Sequence, residues 1–240
     1  MVEPWLNPNA RPVQREISPG RSVWIVDEIL LNPERLIRWA ANNKTLWERP
    51  TLNAYPGIQM PIPAELIAAL DDYFARHIRI LFNGRRTLNV FHRLAMMTWP
   101  AHQLQPKQWL CHRDRSNLDA RSHAIIASVL YLFENRTLGG TLFFRPRITQ
   151  TDLAQLIGDS IKLDPIGFSK KYGLAPAYPC ETNEFFELEA EIPARANRII
   201  FYDGSLFHSA SVPDESRLND DPLTGRLTAN GFYTIKKSAV

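Results

Sequence analysis

Cysteine is scarce in this chain: Cys111 and Cys180 are the only two in 240 residues. A disulfide framework is thereby excluded, and a reducing, cytoplasmic setting is the expectation. No apolar run reaches the ~18 residues that a membrane-spanning helix needs. The opening stretch MVEPWLNPNARPVQRE carries prolines and charges where a signal peptide needs an apolar segment. Excess charge is also missing. The formal net charge is +3, and the basic residues are scattered, with no block longer than Arg85-Arg86 or Lys236-Lys237. Neither nucleic acid nor a membrane is therefore an expected partner. Internal repeats are absent. Material for a full core is present, with 45% hydrophobic residues, the ordinary share for a globular domain.

Residues 1–20 carry prolines at 4, 8, 12 and 19 and read as an extended arm, which Trp5 and Leu6 can pin to a single domain over 21–240. Ser22 to Leu31 reads as a strand running into a turn. Asn32-Pro33-Glu34 is a helix start, with a capping Asn, a Pro suited to the first turn and an acid at the positive end of the dipole. That helix runs to about Asn42. A loop from Pro50 to Pro63 leads to a longer helix, whose buried face is Leu66, Leu70, Phe74, Ile78 and Leu81 at helical spacing. His77, beside that face, reads as a packed or surface histidine.

After Gly84 the pattern becomes strand-like. Thr87 to Trp99, Gln108 to Cys111, Ser122 to Glu134, Thr141 to Arg145, Phe185 to Ile192, Arg198 to Asp203, Leu206 to Val212 and Leu227 to Ile235 all read as strands. Helices followed by many strands make an α+β, mainly β domain, with N-terminal helices supporting one face of a barrel or sandwich. Thr149 to Ala177 interrupts the strands. It holds a helical pattern (Leu153, Leu156, Ile157, Ile161) and then a run rich in Gly, Pro and Lys, read as a loop. An insertion of that length is either a lid or a surface excursion.

The chemistry concentrates in His112-Arg113-Asp114. On a strand, His112 and Asp114 share a face and Arg113 points away. Alone, such a pair is as well explained by a surface hydrogen bond. His208, on the apolar segment after Asp203-Gly204, can join them. Two imidazoles and a carboxylate can occupy one side of an iron(II) ion; manganese, cobalt or nickel also accept such donors. Arg226 and Thr228 again share a face, and a guanidinium fork matches a carboxylate.

Taken in order, these residues resemble the 2-oxoglutarate- and Fe(II)-dependent dioxygenases, in particular the prolyl-4-hydroxylase-like branch and its bacterial members of unknown function. The resemblance covers roughly 88–236. Its more specific parts are Tyr131 to Phe144, with Gly139-Gly140, and the closing GRLTANGFY. It implies a double-stranded β-helix, a jelly-roll, cupin-like barrel. It also implies iron on His112, Asp114 and His208, with Arg226, Thr228 and Tyr131 around the 2-oxoglutarate co-substrate; for Tyr131, packing in the barrel wall is the competing reading. The implied reaction uses O2 and hydroxylates a C–H bond of an amino acid, peptide or related small molecule, with decarboxylation of 2-oxoglutarate to succinate. The alternative is a non-catalytic or 2-oxoglutarate-independent cupin-like metal-binding module. The chain departs from the resemblance in its wide Asp114–His208 gap, in an arginine at 226 where many prolyl-hydroxylase relatives use lysine, and in the long polar loop Pro213 to Thr224. Three further readings concern the substrate. Arg145 and Arg147 are surface arginines or face an anionic substrate, and Trp109 fills the core or lines a pocket.

Overall fold

The computed structural model describes residues 3–50, 55–114 and 118–238. Its first helix, α1 (Pro33–Asn42), starts where the sequence places it, with the Asn32 side chain accepting from the Arg35 backbone N–H at 3.3 Å. The second, α2 (Ala64–Tyr73), continues through a wider π turn at Phe74–Ile78 and a tight turn at Arg79–Phe82. Asn83, in the left-handed region, ends it. The expected face is buried at Leu66, Leu70, Phe74 and Ile78, with Leu81 half-buried.

Ten strands form two antiparallel sheets among the described residues. The large sheet contains β1 (Val13–Ser18), β2 (Arg21–Val26), β3 (Gly57–Met60), β4 (Gly84–Met97), β5 (His123–Tyr131), β8 (Arg198–Asp203) and β10 (Leu227–Lys237), in the order β1-β2-β8-β5-β10-β4-β3. The small sheet is β7 (Phe186–Ile192), β6 (Thr141–Pro146) and β9 (Phe207–Ala210), in that order. The sheets do not join into one closed hydrogen-bonded ring among the described residues.

Alternation along β10 explains the layering. Leu227, Ala229, Tyr233 and Ile235 face the helices and pack with Leu36, Leu66, Phe74 and Ile126. Thr228, Asn230 and Phe232 face the other way and line a cavity. Between the sheets lies a second core that includes Val23, Tyr131, Phe143 and Tyr202.

Three expectations need correction. Residues 13–18, within the expected arm, form β1, whose exposed Gln, Arg and Glu hid the alternation. Gln108 to Cys111 is not a strand: Pro106–Gln108 is a tight turn, because proline offers no ladder N–H and Trp109 N–H closes on Pro106 C=O at 3.1 Å. The expected 50–63 loop contains β3, paired with β4; its residues 51–54 lie outside the described residues.

The Thr149–Ala177 segment also differs, being mostly helical: α3 (Gln150–Lys162) and α4 (Pro165–Tyr172). Asp164 caps α4, Pro165 opens it and Gly173, at φ +66°, closes it, so Pro165 and Gly173 are helix boundaries while Gly167 lies inside the helix. Leu153, Leu156 and Phe168 pack against Leu142, Phe144, Phe186 and Phe207 on the outer face of the small sheet. Trp109 belongs to this third core, edge-on to Phe168 at 5.7 Å, and it fills space there.

Candidate metal centre

His112 and His208 come together through their main chains. Each backbone N–H donates to the other's C=O at 2.9 Å, an isolated antiparallel bridge on the free side of β9. Directly opposed residues of such a pair present their side chains on one face, and the two imidazole centroids lie 4.4 Å apart. Asp114 is held separately. Its backbone N–H donates to Gly204 C=O at 2.7 Å, and Gly204 N–H donates to Ile125 C=O at 2.8 Å on β5. The turn after β8 therefore ties the carboxylate to the large sheet, while β9 ties the histidines to the small one. Gly204 is needed for this approach, since a Cβ there would lie 2.8 Å from Asp114 Cβ.

One potential ligand atom from each of the three residues falls within 4.8 Å of the other two. His208 Nε2 is 3.5 Å from Asp114 Oδ2, and His112 Nε2 is 3.9 Å from Asp114 Oδ1. His208 Nδ1 lies 2.9 Å from Leu206 C=O; donation there leaves Nε2 as the lone-pair nitrogen facing the carboxylate. Desolvation lowers the His208 pKa to about 4. His112 is exposed towards the cavity. Desolvation, then the neighbouring His208, lower its pKa to about 4 against the pull of Asp114. Both rings are thus neutral and able to coordinate near pH 7. Burial raises the Asp114 pKa, with His112 and Arg93 acting in the opposite direction. Asp114 Oδ2 is buried with no hydrogen-bond partner among the described residues. Two neutral imidazoles around an orphaned carboxylate oxygen fit a divalent cation. Arg113 points elsewhere, its guanidinium 4.5 Å from the Phe207 ring centre.

The three residues border a cavity of about 490 Å³, of a size that suits a small ligand. Arg226 and Thr228 also line it. Arg226 is buried without an anionic partner among the described residues. Its Nε donates to Leu138 C=O at 2.9 Å and one Nη to Gly140 C=O at 2.8 Å, while the other Nη faces Met97 Sδ at 3.6 Å. Thr228 Oγ1 donates to Ala95 C=O at 3.3 Å. Tyr131 pairs in register with Thr228 on β5. Its ring is fully buried, and its hydroxyl shares a 2.7 Å hydrogen bond with Thr141 Oγ1, the group that lines the cavity. Burial raises the Tyr131 pKa to about 12, so it is a neutral phenol.

Sequence reasoning missed Arg93, Asn230, Tyr55 and Tyr202, all in the cavity wall. A signal existed for Arg93: on β4 it shares a face with the buried Ala95 and Met97, so a charge stands in line with two apolar residues. Arg145 pairs with Glu187 at 2.6 Å and Arg147 donates to Asn183 C=O at 2.9 Å, both away from this wall. His77 rests against the Tyr73 ring at 4.8 Å. Of the 149–177 segment, Ile157, Ser160 and Ile161 of α3 reach the cavity.

Among solved structures, the carbocyclase SnoK from nogalamycin biosynthesis, described as non-heme and alpha ketoglutarate dependent, is 13% identical with a TM-score of 0.51. The match covers 92% of this chain and 84% of SnoK. A Pseudomonas putida prolyl-4-hydroxylase is 11% identical with a TM-score of 0.45, covering 92% of this chain and 95% of that one. HygX from Streptomyces hygroscopicus, with nickel and 2-oxoglutarate bound, is 8% identical with a TM-score of 0.48, covering 92% and 84%. The likeness to SnoK shows a shared fold. No curated protein matches the sequence. A family model, described as a family of unknown function (DUF6445), matches residues 8–233.

Proposed function

The chain belongs to the DUF6445 family, and we propose that it is an Fe(II)- and 2-oxoglutarate-dependent oxygenase. In this reading it hydroxylates an unactivated C–H bond of an amino acid, peptide or related small molecule. The observation that carries the reading is the His112–Asp114–His208 donor set, opening on a cavity that also holds a buried arginine without a carboxylate partner. The two facing antiparallel sheets, with the site between them, support a double-stranded β-helix, and the fold shared with SnoK supports the oxygenase class.

The His112 and His208 imidazoles and the Asp114 carboxylate would hold the iron. Iron(II), when bound with 2-oxoglutarate and O2, supplies an oxidant at the expense of decarboxylating 2-oxoglutarate to succinate. The protein's own part is orientation. Leu206 C=O fixes the His208 ring, and the Gly204 turn fixes Asp114. The Arg226 Nη nearest Met97 would take the far carboxylate of 2-oxoglutarate, with Thr228 and the Tyr131–Thr141 pair beside it. Apolar wall residues such as Ala127, Val129 and Phe232 limit water around the reacting C–H bond. With Asp114 present, the ligand position that iron halogenases leave for chloride is filled, which favours hydroxylation. The α3 edge, through Ile157, Ser160 and Ile161, would act as a lid, while the rest of the segment stays packed on the small sheet.

One observation favours a 2-oxoglutarate-independent metal module: two Arg226 nitrogens already serve main-chain carbonyls. Anaerobic titration with iron(II) and then 2-oxoglutarate separates the readings. The oxygenase reading expects a visible charge-transfer band for wild type, together with a co-substrate affinity about tenfold or more weaker in Arg226→Ala. A wild-type protein that binds iron and develops no such band refutes it.

A further inference from the structure

We propose that Arg93 is the substrate-anchoring residue of this cavity and that the substrate carries a carboxylate. The inference rests on the oxygenase reading for the word substrate, and on the cavity wall for the rest. Among the described residues that wall has four permanent cations, Arg93, Lys107, Arg113 and Arg226, against a single carboxylate, Asp114. Lys107 is exposed and Arg113 is laid on the Phe207 ring. Arg226 is tied to Leu138 and Gly140.

Arg93 shares with Arg113 a half-buried side chain and a buried Nε without a hydrogen-bond partner among the described residues, and it differs from all three in the polar neighbour beside it. It has no ion pair with any described residue. Its guanidinium stands 5.2 Å from the Phe232 ring centre and 5.5 Å from that of Phe91, contacts that position the fork and leave its edge open. Asn230, its register partner on β10, also lines the cavity, and its Oδ1 is buried and unpartnered. Two adjacent polar groups left unsatisfied on a cavity wall are costly to the protein alone and are satisfied by a ligand.

Charge decides the ligand's sign. A divalent ion, Asp114, Arg226 and a dianionic co-substrate neutralise one another, which leaves Arg93 in excess together with Lys107 and Arg113. Tyr55 lies within electrostatic reach of Arg93 and Arg226, and Asp114 within reach of Arg93. Arg93, on β4, is thus within electrostatic reach of the candidate metal centre. A planar carboxylate matches its fork bidentately, and the Asn230 amide oxygen can accept from a donor on the same ligand.

The test is calorimetric, on protein loaded with manganese(II) and saturated with 2-oxoglutarate. The probes are the twenty standard L-amino acids and their N-acetyl derivatives, the methyl esters of any that bind, and phenyl phosphate. At least one free acid should bind, with its ester and the Arg93→Met variant each weaker by about tenfold or more. Arg93→Lys, which keeps charge and bulk, should fall between them. 2-Oxoglutarate affinity in Arg93→Met should stay within about twofold of wild type, the reverse of Arg226→Ala. The proposal is overturned if no acid binds, if esters bind as well as acids, if phenyl phosphate is the ligand that Arg93→Met loses, or if Arg93→Met and Arg93→Lys both bind the acid normally. A wild-type protein that fails to bind 2-oxoglutarate sinks the oxygenase reading instead. The same probes on the manganese form then still report on Arg93.

Discussion

A histidine is buried against each face of the large sheet, and the two have different surroundings. His92 and His208 are each 5% exposed, and burial lowers the pKa of each to about 4. His92, on β4, faces the helices. Neither of its ring nitrogens has a partner among the described residues, and it stands edge-on to Tyr233 at 5.1 Å. It fits there because Gly231 leaves room, as a Cβ at 231 would lie 2.4 Å from its ring. His208 has one nitrogen engaged with Leu206 and the other aimed at a carboxylate. Burial and titration are therefore the same for a packed histidine and for one in the candidate metal centre. The arrangement of second and third groups tells them apart.

The contrast is broken most severely on the helix face. Phe74 is fully buried and stacked on Tyr233 at 3.9 Å. Phe74→Ala should cost about 3–5 kcal/mol of stability, measured by urea unfolding, with metal affinity of the folded fraction unchanged.

A pH series sharpens the histidine comparison. His92 is neutral in the fold at about pKa 4 and titrates near its usual 6.5 when unfolded. The unfolded chain binds the extra proton between those values. Its contribution to stability is complete above pH 6.5, declines as pH falls towards 4, and changes no further below. At about 1.4 kcal/mol per unit, the difference approaches 3 kcal/mol. His92→Leu should be flatter than wild type by about that amount between pH 7 and pH 4, with both proteins metal-free. Parallel curves would contradict this account of His92.

The cavity face should behave in the opposite way. Asp114→Ala is expected to weaken divalent-metal binding by more than about 100-fold, since losing groups that only support ligands already costs 10–100-fold. Its metal-free stability should not fall, because the variant removes a buried, partnerless oxygen. Titration calorimetry and urea unfolding read the two halves. Gly204→Ala, which pushes Asp114 without deleting it, should have the smallest effect, about tenfold in metal affinity. An affinity equal to wild type would show that the turn has room to relax.

Much of this molecule was legible in the sequence. Asn32-Pro33-Glu34 announced α1, because capping is local chemistry. The strand alternation found most of the two sheets, and the resemblance built on His112, Asp114, His208 and GRLT agrees with the fold shared with SnoK. Less legible were the edge strands β1 and β3: exposed polar residues dilute the alternation in β1, and β3 is only four residues long. The second half of the insertion differs from the loop expected because Pro165 and Gly173 bound a helix, and such boundary residues look like loop residues until the helix between them is recognised.

Sequence by itself determined the residue types of the site and the strand periodicity that points Thr228 and Asn230 away from Leu227 and Ala229. These depend on neighbours in the chain. Tertiary structure alone decided that His112 bridges β9 without belonging to a strand, that Gly204 carries Asp114 to the histidines, and that Arg93 stands beside Asn230 with its Nε unpartnered among the described residues. Each of these is a contact between segments remote in sequence, set by sheet register and by close backbone approach, and no local pattern encodes them.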